Sequence, residues 1–405
     1  MANSSDVAAS CISSTFFPMR IARAELFELA LPLVEPFVIS GGTIAERRSL
    51  IVALYDDAGH VGYGESPPFQ LPFYSEETLA SARDLIEHTL LPRVMGREFE
   101  GPLPEAVDTA VRDGIRGNWF ARAGIETAAW DLEAHARATG LATLLGERLG
   151  AAPAGAVDCG VALGIPPNRR GDVLTQWVYE AVQRGYRRVK IKVAPGWDSA
   201  AVDAARKGMA GTSLPLTVDA NGAYEWPRDE AALRTLDDAG LLYIEQPLHP
   251  DELVGHARLG EILRTPLCLD ETLRDARAAH QVMALNGPKV WNIKVHRVGG
   301  LSEVCRMYRL AAEYGARLWA GTMPESGIGS QAALAAAALP LFVYPSDLEP
   351  SSRWFGRNGD VIKLTMGPDG RMAVPQQSCG RLLDPARFRL LTAPVLLGRH
   401  DQAKH

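Results

Sequence analysis

The chain has 405 residues, of which 47% are hydrophobic and 22% charged, and these values are ordinary for a globular protein. The length suits one large domain with a smaller one, and a formal net charge of −6 at pH 7 excludes a basic field for nucleic acid or membrane surfaces. No stretch is apolar for long enough to cross a bilayer. Five scattered cysteines without metal-ligand or redox spacing predict reduced thiols in a cytoplasmic protein.

The first part of the chain predicts a small mixed domain. Residues 1–20 lack the basic start and continuous apolar centre of a secretory signal, so we expect a disordered extension there. Strand-like runs follow, with a hairpin turn at Asp56–Gly59, and then a helix with Ser75 as its N-cap and another over Ala121–Thr139. This pattern predicts an α+β domain over 21–150.

Two long loops in this domain, 35–43 and 66–74, are rich in glycine, proline and aromatic residues. They are either incidental connectors or a lid over a neighbouring site.

After Gly155 the pattern changes to alternating strands and helices, which predicts a closed parallel barrel over 151–345. Its first strand is expected at Val157–Leu163, its seventh at Arg317–Ala320 and its eighth at Leu341–Tyr344. The irregular segment 346–405 is expected to pack back on the first domain. The predicted fold is therefore an α/β (β/α)7β TIM-like barrel with an N-terminal α+β capping domain.

Charged residues end five successive strands of the predicted barrel, at intervals of 27, 26, 25 and 24 residues. They are Lys192 (with Lys190 two residues earlier), Asp219, Glu245, Asp270 and Lys294. Each interval holds one strand, one helix and two short loops, and buried parallel strands are otherwise continuously apolar. A single charge could be a solvated strand end, but five in phase indicate a reaction centre. Strands two and six face each other in an eight-stranded barrel, which places the acids between two opposed sets of lysines.

Three neighbouring carboxylates cannot all stay ionised without a cation, and an all-oxygen set favours Mg²⁺, with Mn²⁺ also suitable. Asn221 and Glu271 are candidates to orient these ligands. The alternative is that the acids form ion pairs with Arg or Lys on the barrel rim. Desolvation and a neighbouring cation are expected to lower the pKa of the lysines, and this would supply a base that removes the proton adjacent to a carboxylate and forms an enediolate.

The chain resembles the enolase superfamily, muconate-lactonising subgroup, from Ile21 to Arg389. The motifs that carry the resemblance are Lys190-Ile191-Lys192, Asp219-Ala220-Asn221, Glu245-Gln246-Pro247, Asp270-Glu271, Asn292-Ile293-Lys294 and Arg297-Val298-Gly299-Gly300. A Lys base with Mg²⁺ is already known for enzymes of this superfamily. Within the subgroup, PLVEPFVISGGT, PGWD and MPESGIG are most similar to the o-succinylbenzoate synthase and N-succinylamino acid racemase family.

The resemblance implies that Lys192 and Lys294 form the acid–base pair. Lys190, which lies beside Lys192, is a further candidate catalytic residue. The resemblance also implies that Mg²⁺ binds Asp219, Glu245 and Asp270. Arg297 matches an arginine typical of racemases, or forms a salt bridge behind Lys294. Further residues implied to orient ligands or bind substrate are Asn292, Glu325 and Ser326. The implied activities are racemisation of an N-succinyl or other N-acyl amino acid and dehydration to o-succinylbenzoate, by a homo-oligomer acting on a small carboxylate.

His296 departs from the family pattern and is either a substrate contact or a rim histidine. Two rival enzymes share the predicted centre, a dipeptide epimerase and a muconate-type cycloisomerase. Asp347 and Glu349 weakly resemble the acids with which epimerases bind a substrate amine. A non-catalytic carboxylate-binding protein would be expected to lack one of the lysines or ligands, and none is missing.

Overall fold

The computed structural model describes residues 18–39, 42–356 and 359–397. Residues 1–17 of the predicted extension lie outside these ranges, and the first strand begins at Met19. The first domain contains the elements β1 (Met19–Ile39), β2 (Gly42–Asp56), β3 (Val61–Ser66), α1 (Leu79–Leu85), β4 (Glu98–Phe99), α2 (Leu103–Arg112), α3 (Trp119–Ala136) and α4 (Leu141–Leu149). The chain continues from α1 through a π-helix, Ile86–Leu90, and a 3₁₀ turn, Leu91–Arg93.

β1, β2 and β3 form an antiparallel meander, and its second turn is the hairpin predicted at Asp56–Gly59. Two expectations were wrong. Most of the predicted loop 35–43 is paired strand, because Phe37 pairs with Ile44 and Ile39 with Gly42; residues 40–41 lie outside the described ranges. Helix α1 begins after Thr78 rather than Ser75, because Thr78 and Ser81 form a reciprocal capping box.

Seven parallel strands form the second sheet, in chain order, and the confirmed fold is the predicted TIM-like barrel under an α+β cap. The strands are β6 (Gly160–Leu163), β7 (Arg188–Lys192), β8 (Leu216–Asp219), β9 (Ile244–Glu245), β10 (Leu267–Leu269), β11 (Val290–Ile293) and β12 (Arg317–Ala320). The helices among them are α5 (Gly171–Gln183), α6 (Ser199–Gly208), α7 (Glu230–Asp237), α8 (Leu253–Ile262), α9 (Ala276–Ala284), α10 (Val295–Val298), α11 (Leu301–Tyr314) and α12 (Gly327–Ala337).

Two features of the barrel differ from the predicted strands. The stretch 157–163 is split, because β5 (Ala156–Asp158) leaves the barrel to pair with β13 (Arg371–Ala373). The eighth position is held by single bridges, Leu318 to Phe342 and Cys159 to Ser346, instead of a regular strand. These two bridges close the sheet, so β7 and β11 lie on opposite sides of the barrel.

The C-terminal segment also contains α13 (Ser351–Phe355), α14 (Cys379–Leu382), α15 (Pro385–Leu391) and β14 (Thr392–Val395). β14 pairs with β1, and the rings of Phe27 and Phe388 lie 5.0 Å apart edge to face. The end of the chain thereby adds a strand to the sheet of the first domain. None of the helices in the described ranges is long and apolar enough to span a bilayer.

Two buried acids of the cap bind the N-termini of barrel helices. Glu126 on α3 accepts hydrogen bonds from the backbone N–H groups of Leu301 and Ser302, at the start of α11. Glu65 on β3 accepts bonds from the N–H groups of Ser326 and Gly329, at the start of α12. Carboxyl oxygens are suitable acceptors at helix N-termini because the backbone N–H groups of the first turn have no partner within the helix. These contacts set the position of the cap over the barrel.

Candidate active site

The five predicted positions lie side by side at the carboxyl ends of β7 to β11. In the strand register Lys192 stands beside Asp219, and Asp219 beside Glu245. Asp270 follows β10, whose Cys268 is level with Glu245, and Lys294 follows β11. Active sites of TIM barrels occur at this end.

Lys192 is bonded to the acid on the neighbouring strand. Its Nζ lies 2.6 Å from Asp219 Oδ2 and also donates to Asn221 Oδ1. Asn221 in turn donates from Nδ2 to Glu271 Oε1 at 2.9 Å and from its backbone to Asp219 Oδ1 at 3.0 Å. The Lys192 side chain is 30% exposed, against 4% for Lys190, so Lys192 is the one of this pair that a substrate can reach.

Lys190 is buried among acids. Its Nζ lies 2.9 Å from Glu245 Oε2, 2.6 Å from Asp347 Oδ2 and 4.6 Å from the centre of the Trp319 ring. Burial by itself would lower its pKa, but these carboxylates outweigh burial and raise the pKa above the usual range. The expected lowering of the pKa is therefore wrong for Lys190. Lys190 acts here as a buried counter-ion.

Lys294 lies across the barrel from Lys192. Its Nζ is 2.9 Å from Asp270 Oδ2 and donates to Tyr74 Oη, in the cap, at 2.9 Å. Burial alone would lower the pKa of Lys294, whereas Tyr74 and Glu271 raise it above the usual range, again opposite to the expectation. Arg297 donates to the other oxygen of Asp270 and, at 2.9 Å, to the Asn292 carbonyl, so it has the predicted position of a salt bridge behind Lys294.

The three predicted ligands and two neighbouring side chains form an all-oxygen donor set, the type that hard divalent cations prefer. Burial and the charge of Asp219 raise the pKa of Glu245. Such a shift is expected where two carboxylates lie close together without a cation between them. Glu271 Oε2 and Asn292 Oδ1 are buried oxygen acceptors that no donor in the described part of the chain satisfies. As the side chains stand, no three His, Cys, Asp or Glu residues of that part could enclose a metal ion. Lysine and arginine groups contact the three predicted ligands instead.

The remaining predicted residues join the site to the cap. Glu325 is buried, accepts a bond from the Met323 N–H and lies 2.9 Å from His296 Nδ1. Ser326 caps α12 and donates from Oγ to Glu65 at 2.5 Å. His296 is fully buried and its Nε2 has no partner among the described residues. It is not an exposed rim histidine.

Sequence reasoning missed three contributors. Tyr74 was seen only as an aromatic residue of a loop, yet it touches Lys294. Arg188, fully buried, holds Asp347 together with Lys190. Gly321 follows β12, and a Cβ there would lie 2.4 Å from Asn292 Oδ1 and 2.9 Å from Lys294 Cε. A glycine directly after a barrel strand is the signal that could have revealed it.

A closed parallel barrel with lysines and acids at one end, under an α+β cap, defines a class of barrel enzymes with the site at the cap–barrel interface. Two family models match the chain. Residues 22–146 match the mandelate racemase/muconate lactonizing enzyme N-terminal domain, and residues 174–380 match the enolase C-terminal domain-like family. The chain belongs to the enolase superfamily, in its mandelate racemase/muconate lactonizing group, and is an isomerase or lyase.

Similar proteins place the chain more closely. It is 40% identical over 359 residues to an N-succinylamino acid racemase of Thermus thermophilus, covering 88% of this chain and 93% of that protein. It is 37% identical over 337 residues to an o-succinylbenzoate synthase of Bacillus subtilis, covering 83% and 87%. A solved structure of an enolase-superfamily member from Listeria innocua superposes with a TM-score of 0.85 at 34% identity, covering 94% of this chain and all of that one. An L-Ala-D/L-Glu epimerase of Bacillus subtilis is 30% identical over 326 residues, covering 79% and 85%.

Proposed function

We propose that this enzyme removes the proton adjacent to the carboxylate of an N-succinyl or other N-acyl amino acid and racemises it. We propose that the same centre can dehydrate the precursor of o-succinylbenzoate. The observation that carries this is the pair of lysines at the ends of β7 and β11, on opposite sides of the barrel with the three acids between them. One relative named for each of these two activities supports the substrate class.

Asp219, Glu245 and Asp270 would hold Mg²⁺, or Mn²⁺, with Asn221 and Glu271 orienting them. The cation supplies positive charge that stabilises the enediolate of a carboxylate substrate by several kcal/mol. A bound cation would also neutralise the carboxylates that the lysine ammonium groups now contact. Chelation should therefore abolish turnover and Mg²⁺ should restore it. Full turnover in excess chelator would contradict this assignment.

The lysines would move the proton. Lys192 Nζ takes the α-proton from one enantiomer, and Lys294, protonated, delivers a proton to the opposite face. The reverse assignment serves the other enantiomer. Tyr74 and Asp270 hold the Lys294 ammonium in place, and Arg297 fixes Asp270. Lys190 is too deeply enclosed to reach a substrate, so its role is to neutralise Glu245 and Asp347.

The position of Asp347 favours an N-acyl substrate over a dipeptide. Its carboxylate is bonded to both Arg188 and Lys190, and these cations hold its pKa well below the usual range although burial opposes them. Glu349 is buried beside Arg353, at 3.3 Å. Asp347 is therefore held by two cations and is not free to bind the ammonium group of a dipeptide, whereas Glu349 Oε2 has no hydrogen-bond partner among the described residues. An amide-blocked amino acid needs no such partner.

Hydrogen exchange in deuterated water tests the two-lysine geometry. Lys192→Ala and Lys294→Ala should both stop racemisation, and each should retain exchange into the one enantiomer that the surviving lysine reaches. The enantiomer preferences should be opposite in the two variants. Equal residual exchange of both enantiomers in either variant would disprove the opposed arrangement. For dehydration, Lys→Arg at the position that does not move the proton should be less damaging than at the other.

We also propose that the enzyme is a cytoplasmic homo-oligomer. The cysteines of the described ranges, Cys159, Cys268, Cys305 and Cys379, are free and buried, which suits a reducing compartment. Near the C-terminus Leu390 and Leu396 are 81% and 87% exposed, and apolar side chains of this kind suit a subunit contact. Light scattering on the purified protein would test the assembly, and a monomeric mass would refute it.

A further inference from the structure

A cavity of about 600 Å³ lies between the cap and the barrel, and none of the residues proposed for catalysis lines it. The loop between α2 and α3 forms one wall, and the start of α9 forms the other. Its charged and aromatic lining consists of Arg112, Arg116, Trp119, Arg122, Asp275 and Arg277. Four of these six side chains carry guanidinium groups, so the lining is predominantly positive.

Arg122 is the notable residue of this lining. It is only 7% exposed, its Nε is buried without a partner, and its guanidinium makes no hydrogen bond or ion pair with any residue that the structure describes. Its contact is with the Trp119 ring, 6.0 Å from the ring centre. Other buried arginines have partners: Arg188 pairs with Asp347 and Arg297 with Asp270, and Arg47 donates hydrogen bonds to the Met323 and Pro68 carbonyls. A buried charge without a partner is costly, so a missing anion is the simplest physical reason for this arrangement.

Among the described residues, the other charged groups near Arg122 form no ion pair with it. Burial, and then the charge of Arg112, lower the pKa of Arg122, although the charges of Asp108, Glu303 and Glu77 oppose this shift. Arg112 itself is engaged by Glu303 at 2.7 Å. Asp275 is occupied as the N-cap of α9, accepting the Ala278 N–H at 2.9 Å. Arg116 and Arg277 are exposed, and neither side chain has an ion pair within the described ranges. Three guanidinium groups therefore remain available to one ligand.

We propose that this cavity binds a phosphate group, held by Arg116, Arg122 and Arg277. Guanidinium groups bind phosphate oxygens through paired N–H donors, and arginine is preferred where such recognition is needed. The volume is in the range of small-molecule sites, so an organic phosphate fits with its body against Trp119. A ligand there would join Arg122 of the cap to Arg277 of the barrel, and so stabilise their contact.

Calorimetric titration of the full chain with inorganic phosphate and with phenyl phosphate, at constant ionic strength, tests this. We expect saturable binding with a dissociation constant of about 1 mM or below. The double variant Arg116→Gln/Arg277→Gln changes only exposed side chains and should weaken binding at least about tenfold, as should Arg122→Gln. The matched control is Arg258→Gln/Arg317→Gln, which alters two exposed arginines outside the cavity and should bind like the wild type.

Unchanged affinity in the cavity double variant, or no saturable binding up to about 10 mM, would overturn the proposal. Tighter binding of phenyl phosphate than of inorganic phosphate would identify an organic phosphate as the ligand, and equal affinities would identify the free anion. Thermal unfolding gives an independent measure, because a ligand that binds the folded state raises the midpoint. Phosphate should raise it in the wild type and the control but not in the double variant.

Discussion

Lys294 owes its position to small and polar neighbours on three elements. Tyr74 of the cap and Asp270, which follows the neighbouring strand β10, hold its ammonium group, each at 2.9 Å. Gly321 leaves the space that its stem occupies, since a Cβ at this position would come within 2.9 Å of Lys294 Cε. Contacts with these neighbours therefore fix the position of the Lys294 side chain. We expect one added methyl group to displace it.

Gly321→Ala should lower kcat by about 100-fold, because displacing a reacting group by about 1 Å has a cost of that order. The added Cβ would also meet Asn292 Oδ1 at 2.4 Å, so both neighbours must shift. Steady-state kinetics would measure the loss. Gly164→Ala, which follows β6 at the same end of the barrel and meets nothing within 4 Å, is the control and should retain activity. Wild-type kcat in Gly321→Ala would show that Lys294 does not need this space.

The loop between β3 and α1 forms an aromatic cover beside Lys294. Phe69 packs on Phe73 with ring centres 4.6 Å apart and on Tyr74 at 6.3 Å, and the Arg47 guanidinium lies 4.6 Å from the Phe69 ring centre. Met323 and Phe120 complete this cluster. The loop was expected to be either a connector or a lid, and its contact with Lys294 supports the lid.

Phe69→Ala should change substrate preference while leaving metal affinity intact, because Phe69 supports Tyr74 but touches none of the proposed ligands. We expect the ratio of kcat/KM for N-succinyl and N-acetyl substrates to change about tenfold. The control Phe99→Ala removes an equally buried ring from the cap core and should leave this ratio unchanged. Loss of metal with an unaltered ratio would mean that the roles of cap and barrel are wrongly assigned. A matching experiment at Ile39, also expected to affect preference, concerns a side chain outside those that the structure describes.

A buried acid on α3 also ties together elements of the cap. Asp131 accepts hydrogen bonds from the N–H groups of Tyr63 on β3 and of Cys379 and Gly380 on α14. Burial raises the pKa of Asp131 from 3.8 to about 6, although these three bonds oppose the shift. The folded state therefore binds a proton that the unfolded chain releases between these values.

This raised pKa predicts how stability depends on pH. The stabilisation linked to Asp131 is complete below pH 4 and is lost as the pH rises through 6, a change of about 3 kcal/mol. Asp131→Asn removes the titration, so the free energy of unfolding of the wild type minus that of the variant should fall by this amount from pH 4 to 7. Urea unfolding at stepped pH measures it. The exposed control Asp113→Asn should follow the wild-type slope, and a constant difference for Asp131→Asn would refute the assignment.

Catalysis depends on the position of the cap relative to the barrel, because the cap loops complete a site whose charged residues lie on the barrel strands. Glu65 and Glu126 connect the two domains, because each accepts hydrogen bonds from the backbone N–H groups at the start of a barrel helix. Gly300 makes room for one of them, since its Cβ would lie 2.0 Å from Glu126 Oε2. The position of the cap, and with it catalysis, therefore depends on two buried acids that contact none of the proposed catalytic residues.

Glu126→Ala should destabilise the protein by about 3 kcal/mol, because it leaves two buried backbone N–H groups without acceptors. Glu65→Ala should have a similar effect, and both should raise KM as the cap loops lose their position. Thermal unfolding and kinetics on the same samples would show this. Glu98→Ala, on the exposed face of β4, is the control. An unchanged midpoint of thermal unfolding in both Glu65→Ala and Glu126→Ala would show that the cap is held by other contacts.

The sequence by itself determined the barrel, its cap and the order of the charged strand ends. The reason is periodicity: one strand, one helix and two loops recur at almost constant length, so residues spaced 24 to 27 apart meet at one edge. The same regularity places Lys192 opposite Lys294. Interruptions of the pattern were missed, because the exit of β5 and the bridges at Phe342 and Ser346 depend on pairing with distant segments.

Only the tertiary structure decided which opposite charge each group meets. Lys294 bonds to Tyr74, 220 residues away, and Arg188 pairs with Asp347, 159 residues away. Against the effect of burial, Tyr74 raises the pKa of Lys294 and Asp347 raises that of Lys190, the reverse of the expected direction. Electrostatic interactions depend on distance in space and on burial, which the sequence does not give. The unpaired Arg122 is equally invisible in the sequence, where it is one arginine among many. Its contact with Trp119 is local, since both residues lie on α3, but the cavity that it lines with Arg277 of α9 follows from the docking of two domains.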